Sequence, residues 1–308
     1  MDIVFMGTPE FAVPCLQRLI DDGHNVKGVF SQPDKPKGRG HKMQFPPVKE
    51  CAVNAGIPVY QPVKMRDGEA MAILNELKPE LIIVVAYGKI LPKEILEFPK
   101  YGCINMHASV LPRYRGAAPI QWCVINGEKV SGVTAMQMDV GLDTGDMLLT
   151  KTVEIGENET AGELHDKLSA LGAEVMAETI DLLLTGSLNP KKQDDELSNY
   201  APMLSKELCP IDWNETAAAV HNKVRGLSPW PVATTSCGER NFKIHKTLIS
   251  DVRGGRPGEV IEAGKRLVVS CGDSTAVEVV VLQTEGKKAM NASDFLRGNP
   301  IEVGTIFE

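Results

Sequence analysis

Residues 102–119 read GCINMHASVLPRYRGAAP, in which a short apolar strand runs directly into a loop of polar and rigid residues. Upstream, an apolar run at 81–86 is followed by Tyr-Gly-Lys-Ile-Leu-Pro at 87–92. Downstream, the segment GLDTGD at 141–146 places Asp143 38 residues beyond Asn105. An amide, an imidazole and a carboxylate at the ends of strands suit the attack of an amine on a carbonyl carbon.

Short apolar runs alternate with helical patterns over the first part of the chain. The runs are rich in Val and Ile, as in strands buried on both faces, and lie at 3–6, 27–30, 81–86 and 103–106. The helical patterns lie at 11–22, 66–77, 92–97, 118–126 and 161–184. Thr160 and Glu163 read as a capping box at the start of the last helix, and Gly186 as its stop. The alternation predicts an α/β fold with a doubly wound, Rossmann-like parallel sheet.

The pattern changes after residue 186. Residues 187–196 are polar and poor in helix formers, which is typical of a linker, and a helical pattern follows at 214–227. Beyond it, glycines punctuate short Val- and Ile-rich segments, which predicts a small antiparallel, OB-like β-barrel. The sequence therefore predicts a catalytic domain at 1–189, a linker at 190–206 and a barrel domain at 207–308.

Composition limits the classes of protein to consider. The chain has 308 residues, of which 43% are hydrophobic and 24% charged, as in soluble proteins with two domains. It contains no apolar run of the roughly 20 residues that would span a bilayer, and no basic leader. Seven cysteines without CxxC spacing argue against a disulfide framework or a zinc site. We therefore expect a reduced, cytoplasmic protein without a membrane partner.

Net charge argues against a generic polyanion binder. The chain carries a formal charge of −7, and from residue 207 onward 12 Lys and Arg are balanced by 13 Asp and Glu. Any contact with nucleic acid must therefore come from a local basic feature.

The spacing Asn105-x-His107 matters because residues two apart on a strand share a side. When an amine attacks a carbonyl carbon, negative charge develops on the carbonyl oxygen and the amine must lose a proton. Asn105 can donate from its amide and His107 from its imidazolium. Asp143 would orient His107, favour its charged form and help to take the proton, directly or through water.

Each of these signals alone is weak. A histidine at a strand end is often structural, and Asp-Thr-Gly at 143–145 is also good turn chemistry. A protease of the Asp-Thr-Gly type would need two aspartates that share a proton, and the chain has a single Asp-Thr-Gly. The turn at 6–11, MGTPEF, lacks the later glycines of a dinucleotide site, and no GxxxxGK[ST] occurs.

The order of the motifs resembles the signature of the folate-dependent formyltransferase family, in which NxHxSVLP at 105–112 and RGAAPIQW at 115–122 precede GLDTG at 141–145. The resemblance implies that Asn105, His107 and Asp143 are catalytic. It also implies a co-substrate, 10-formyltetrahydrofolate, and no metal. The tetrahydrofolate would be lined by Ser109, Val110, Leu111 and Pro112, and its pterin held by the main chain of Ala86, Tyr87, Gly88, Ile90 and Leu91. Val110 departs from the usual leucine of the family, and the turn at 6–11 has a supporting role.

The acceptor substrate must be inferred from other features. Residues 35–49, KPKGRGHKMQFPPVK, hold five Lys and Arg and no acid, and their glycines and prolines indicate a loop. Most charged loops are merely solvated, but Lys37, Arg39 and Lys42 could also reach phosphates. The extra domain is a second clue, since a barrel is a common oligonucleotide platform. The resemblance then implies transfer of the formyl group to the α-amine of methionine on charged initiator tRNA, by a monomer that serves translation initiation.

Three other functions remain open. Formyl transfer to a sugar nucleotide or a purine precursor would need neither the basic segment nor the final domain. A hydrolase that releases formate could use the same three polar residues with water in place of the amine. A non-catalytic RNA-binding protein is the third, although Asn105, His107 and Asp143 are all present.

Overall fold

The structure is a computed structural model that describes residues 1–37 and 42–308, without the side chains of Lys37 and Lys42. Two compact units are present. The first comprises Met1–Gly116, Ser131–Val153 and His165–Tyr200, and the second comprises Ala117–Val130, Glu154–Leu164 and Ala201–Glu308.

The strands and helices alternate along the first half of the chain, and strands dominate the second half. The strands are β1 Asp2–Gly7, β2 Asn25–Phe30, β3 Lys35–Lys37, β4 Lys42–Gln44, β5 Val59–Tyr60, β6 Leu81–Val85, β7 Cys103–His107, β8 Arg115–Gly116, β9 Val130–Gln137, β10 Met147–Glu154, β11 Tyr200–Ala201, β12 Ala233–Cys237, β13 Arg240–Ile249, β14 Val260–Ala263, β15 Leu267–Ser270, β16 Ala276–Thr284 and β17 Met290–Asn291. The helices are α1 Val13–Asp21, α2 Pro47–Asn54, α3 Glu69–Leu77, α4 Lys93–Leu96, α5 Pro119–Ile125, α6 Ala161–Leu184, α7 Ala217–Gly226 and α8 Ala292–Gly298.

The first unit is built on a seven-stranded sheet in the order β10-β9-β7-β6-β1-β2-β5. Strands β5, β2, β1, β6 and β7 are parallel. All five residues of β6, LIIVV, are buried, as the unbroken apolar run predicts for a strand covered on both faces. The chain progresses from β1 toward one edge and later returns to fill the other side, so the strand order reverses next to β1. Ligands of open α/β sheets bind outside the carboxyl ends of strands at such a point.

The prediction of a doubly wound parallel sheet is confirmed for five strands, but it was incomplete. Strand β9 runs antiparallel to β7, and β10 lies beyond β9, so the sheet is mixed. Gly132 explains why β9 is hard to recognise: a Cβ there would lie 2.2 Å from the carbonyl oxygen of Lys151. A glycine inside a strand weakens the sequence pattern, but here it permits the close approach of a neighbouring backbone.

The predicted helices are present with shifts at their ends. Helix α6 has the predicted bounds, and the capping box is formed by Thr160 N to Glu163 Oε2 at 2.8 Å and Glu163 N to Thr160 Oγ1 at 3.2 Å. Gly186 ends this stretch at φ +66°. Helix α7 begins later than predicted because Asn214 is held in a turn, its N–H donating to Asp212 Oδ1 at 3.0 Å.

The basic segment at 35–49 is more regular than the predicted loop. Its described ends pair as antiparallel strands β3 and β4, and helix α2 begins inside it at Pro47. Pro47 can start the helix because the first helical residue needs no N–H partner.

The second unit has its own core and an antiparallel sheet in the order β12-β13-β16-β15-β14, with β17 paired to β16. Residues 305–308 bond to both outer strands of this order. Glu308 and Ser236 exchange two backbone hydrogen bonds of 2.9 Å, and Val260 N donates to the carbonyl of Thr305 at 2.8 Å. In neither unit does the described chain contain a helix long and apolar enough to cross a membrane.

Candidate active site

Strand β7 brings Asn105 and His107 to the carboxyl edge of the parallel strands. Asn105 pairs with Val84 of β6 on one side and with Met136 of β9 on the other. Its side chain is only half-buried, and its amide makes no hydrogen bond to the described residues. The Asn105 amide is therefore available as a donor to a bound molecule.

His107 is buried, with 6% of its surface exposed, and both of its ring nitrogens face defined groups. Nε2 lies 2.9 Å from the carbonyl oxygen of Tyr114, and Nδ1 lies 3.6 Å from Oδ2 of Asp143. Because a carbonyl oxygen only accepts hydrogen bonds, Nε2 carries a proton in this arrangement. Nδ1 is then the nitrogen that can exchange a proton on the side of Asp143.

Asp143 lies in the loop between β9 and β10. Its Oδ2 accepts a hydrogen bond of 2.9 Å from the backbone N–H of Gly116, and its side chain is 14% exposed. Its backbone lies in the left-handed region at φ +54°, which aspartate tolerates better than most residues. The same loop is closed by Asp139, whose Oδ1 accepts from Gly141 N at 3.0 Å and from Thr144 Oγ1 at 2.7 Å.

The segment predicted to hold the pterin follows β6 and alternates in exposure. Ala86, Gly88 and Ile90 are exposed, whereas Tyr87 and Leu91 point into the core. The Tyr87 hydroxyl donates to Met65 Sδ at 3.4 Å, and burial raises the pKa of this phenol. Tyr87 and Leu91 therefore offer a ligand their main chain and not their side-chain ends.

The second segment of the predicted folate site, 109–112, is tied to β9. Thr134 Oγ1 donates to the carbonyl of Ser109 at 2.8 Å and accepts from Leu111 N at 3.3 Å. Ser109 Oγ donates a hydrogen bond of 2.7 Å to the carbonyl of Arg113, and Leu111 is buried. Val110 and Pro112 are half-buried, so they are the accessible side chains of this segment.

The three residues predicted to contact tRNA lie at the limits of the described chain. Lys37 and Lys42 face each other in the β3–β4 pair, with only their backbones described. Arg39 lies outside the described residues.

Four residues next to the site were not among the predicted site residues, although Thr8 lies in the turn at 6–11 that was given a supporting role. Tyr114 and Gly116 act through backbone groups, which any residue type carries. Thr8 and Gln32 follow β1 and β2 and bond to the segment after β6: Thr8 Oγ1 donates to the carbonyl of Tyr87 at 3.1 Å, and Gln32 Nε2 donates to the same oxygen at 3.1 Å. Their position directly after buried strands was the available signal. No group of three or more His, Cys, Asp or Glu in the described part of the chain could hold a metal ion.

Family models match both parts of the chain. The model described as formyl transferase covers residues 1–180, and the model described as formyl transferase, C-terminal domain, covers residues 203–300.

Curated relatives match this chain over nearly its full length. The chain is 52% identical over 305 residues to a methionyl-tRNA formyltransferase from Trichlorobacter lovleyi, with 99% of this chain and 96% of the relative covered. It is 50% identical over 311 residues to a methionyl-tRNA formyltransferase from Clostridium novyi, with 100% of both covered.

Solved structures share the fold at low identity. An N-formyltransferase from Helicobacter canadensis, in complex with folinic acid and dTDP-3-aminofucose, matches with a TM-score of 0.72 and 21% identity over 92% of this chain and 99% of that chain. HypX from Aquifex aeolicus, in complex with tetrahydrofolic acid, matches with a TM-score of 0.63 and 18% identity over 96% of this chain and 47% of that chain. The family models and the full-length relatives identify the chain as a member of the formyl transferase family, and the solved structures share its fold.

Proposed function

We propose that this chain transfers the formyl group of 10-formyltetrahydrofolate to the α-amine of methionine on charged initiator tRNA, and so serves protein biosynthesis at translation initiation. The observation that carries the proposal is the identity of about one half, over the full length, to methionyl-tRNA formyltransferases. The His107–Asp143 pair at the sheet edge supports it with a chemistry that suits acyl transfer.

The residues around the strand ends fit a folate. Exposed backbone at Ala86 and Gly88 follows one strand, and half-buried Val110 and Pro112 follow its neighbour. Gly88 has φ +76°, in the left-handed region that glycine adopts without strain, so this backbone path favours glycine. These segments would hold the pterin and its linked ring, and the folate supplies a formyl group carried on nitrogen. No metal has a role in this proposal.

Asn105, His107 and Asp143 would share the catalytic work. The Asn105 amide donates to the formyl oxygen, on which negative charge develops when the amine attacks. Nδ1 of His107 lies on the side of Asp143 and can donate to the same oxygen when the ring is charged. Asp143 stabilises that charge and accepts the proton that the amine loses, directly or through water. The products are the formylated amine and tetrahydrofolate, whose nitrogen takes up a proton.

The acceptor would be recognised by basic surfaces. We assign Lys37, Arg39 and Lys42 to contacts with tRNA phosphates because this segment is basic and free of acids. The second unit offers a further set of exposed cations, which are Lys206, Lys243, Lys246, Arg253, Arg256 and Lys265. Only a neutral amine can attack, so the rate should rise with pH until the methionyl amine has lost its proton.

The proposal also includes the organisation of the chain. We assign catalysis to residues 1–189, a linking role to 190–206 and tRNA anchoring to 207–308, with the last region as an OB-like barrel. The bonds of residues 305–308 to both outer strands of its sheet favour closure. We further propose that the protein works as a cytoplasmic monomer.

An acceptor comparison tests the function. Purified protein and 10-formyltetrahydrofolate are incubated with charged initiator tRNA, charged elongator tRNA or no acceptor, and the formyl group is followed. Formyl-methionine that forms preferentially on initiator tRNA is the expected result. Equal release of formate in all three mixtures would instead identify a hydrolase, and transfer to neither tRNA without formate release would reject both activities.

A further inference from the structure

Gln193 lies in the polar segment after α6, and both ends of its side-chain amide are hydrogen bonded. Nε2 donates to the carbonyl oxygens of Asp143 at 2.8 Å and Gly145 at 2.7 Å. Oε1 accepts from Nε and Nη2 of Arg115, at 3.0 Å and 2.8 Å. One half-buried side chain thus joins the Asp143 loop to the residue that precedes Gly116.

The orientation of the Gln193 amide follows from its partners. A guanidinium only donates and carbonyl oxygens only accept, so Oε1 must face Arg115 and the NH₂ group must face the loop. Arg115 is itself fixed, because its side chain is 12% exposed and its Nη2 lies 2.8 Å from Asp195 Oδ1. The opposite orientation would place the NH₂ group against the donors of Arg115, and Oε1 against the two carbonyl oxygens of the loop.

The hydrogen bonds from Gln193 hold a loop whose backbone has a positive φ at Asp143. Asp143 lies at φ +54°, in the left-handed region that L-residues adopt only rarely. Its carboxylate is held by the N–H of Gly116, and its carbonyl by Gln193. Arg115 in turn bonds to Gln193, and Gly116 directly follows Arg115 in the chain. Residues 115 and 116 therefore hold both the backbone and the carboxylate of Asp143, the backbone through Gln193 and the carboxylate directly.

We propose that Gln193 is a positioning residue for formyl transfer, which keeps the Asp143 carboxylate at its distance from Nδ1 of His107. This inference rests on the proposed function, in which these two side chains handle the proton. Gln193 touches neither substrate in this role. Its loss should therefore lower kcat and leave the KM values for folate and tRNA nearly unchanged.

Two substitutions separate the two ends of the amide. Gln193→Glu keeps an acceptor for Arg115 but places an oxygen against the two loop carbonyls, whereas Gln193→Met removes both ends at similar length. If Gln193 positions Asp143, both variants lose kcat by about 10- to 100-fold, with each KM within about twofold of wild type. If Gln193 only tethers Arg115 for stability, Gln193→Glu keeps full kcat, and that result overturns the proposal.

A matched control is Gln283→Glu in the second unit. Gln283 is also half-buried, its Nε2 donates to the carbonyl of Lys287 at 2.8 Å, and its Oε1 lies 2.9 Å from His245 Nε2. The kcat of Gln283→Glu should stay within about twofold of wild type. All variants are assayed at a temperature where circular dichroism shows them fully folded.

A spectroscopic measurement tests positioning without the reaction. In protein labelled with ¹⁵N-histidine, the Nδ1 resonance of His107 is assigned by its loss in His107→Gln. A shift of this resonance in Gln193→Glu and Gln193→Met, but not in Gln283→Glu, is expected. An unchanged resonance in both Gln193 variants overturns the inference. Because this arm does not depend on turnover, it decides the matter even if the acceptor comparison rejects tRNA formylation.

Discussion

Nε2 of His107 lies 2.9 Å from the carbonyl oxygen of Tyr114, seven positions further along the chain. This contact determines which ring nitrogen of His107 faces Asp143. With Nε2 committed to a backbone acceptor, Nδ1 is left facing Asp143 at 3.6 Å. The loop that follows β7 therefore orients the ring, and substitutions at His107 can be chosen to remove one nitrogen at a time.

His107→Gln should lower kcat by about 10²- to 10⁴-fold, because its amide nitrogen can still reach the Tyr114 carbonyl but nothing replaces Nδ1. His107→Asn, with a nitrogen near the Nδ1 position, should retain more activity than His107→Gln. His245→Gln in the second unit serves as the control and should leave kcat unchanged. Steady-state kinetics with charged tRNA are the measurement, and near-wild-type turnover of His107→Gln would show that Nδ1 has no part in catalysis.

Asp143→Asn should also lower kcat by about 10²- to 10⁴-fold, since it removes the negative charge beside His107. Its stability should be nearly that of wild type, because asparagine tolerates the left-handed backbone and keeps an acceptor for Gly116 N–H. Asp143→Ala loses that acceptor and adds backbone strain, so its thermal midpoint should be lower. If Asp143→Asn were as unstable as Asp143→Ala, the aspartate would be mainly a structural residue.

The elements with strong local signals were predicted well. Helix α6, Ala161–Leu184, has its predicted bounds because Thr160 and Gly186 mark its ends by capping and by a positive φ. Strand β6 was found because five consecutive buried positions leave an unbroken apolar run. Strands β9 and β10 were not identified, since β9 contains serine and glycine and its packing depends on the small size of Gly132.

For the candidate site, the sequence allowed only side chains to be named as catalytic candidates. The motif residues Asn105, His107 and Asp143 could be named from the sequence, and the structure places the last two 3.6 Å apart. The groups that hold them could not be named, because Tyr114 and Gly116 act through backbone atoms that leave no signature in the sequence. Gln193 lies 50 residues from Asp143 in a segment that looks like a linker, so only the tertiary structure reveals their contact.

Lys49→Met should remove the contacts that tie the end of the basic segment 35–49 to Asp34 and Gln61. Lys49 Nζ lies 2.7 Å from Asp34 Oδ2 and 2.9 Å from Gln61 Oε1, and Lys49 and Gln61 hold the pKa of Asp34 below its usual range. Because Lys49 is the last residue of the segment and Asp34 immediately precedes its first, we expect faster tryptic cleavage within residues 35–42 and a fall in unfolding free energy of about 1–2 kcal/mol. Lys27→Met, which breaks the more exposed ion pair with Asp2, is the control. Equal cleavage rates in both variants would contradict a role for Lys49 in holding the segment.

Arg39→Ala should raise the KM for charged tRNA and leave the KM for the folate unchanged. If Arg39 contacts a phosphate, the slope of log affinity against log salt should also decrease in magnitude by about 1. Lys93→Ala, at an exposed cation on α4, controls for a general change in charge. Kinetics are measured with initiator tRNA at several salt concentrations, and unchanged values throughout would remove Arg39 from the tRNA surface.

Stability should fall in mild acid because of His221 in the second unit. This side chain is 4% exposed, with Nε2 3.1 Å from the carbonyl oxygen of Glu157 and Nδ1 3.0 Å from Thr247 Oγ1. Burial lowers the pKa of His221, and the positive charge of Arg225 lowers it further. Below the ordinary histidine pKa of about 6.5, the unfolded chain takes up a proton that the folded chain does not, so acid favours unfolding.

The loss should reach up to about 1.4 kcal/mol per pH unit below about pH 6.5, and should end once the pH falls below the folded pKa of His221. Thermal unfolding at about pH 7.5 and about pH 5.5 measures it. His221→Gln cannot titrate, so its midpoint should change less between the two pH values than that of wild type. His24→Gln is the comparison, because burial also lowers the pKa of His24 but its side chain is only half-buried, so its contribution should be smaller. An acid-induced drop of the same size in His221→Gln and wild type would assign the pH dependence to other groups.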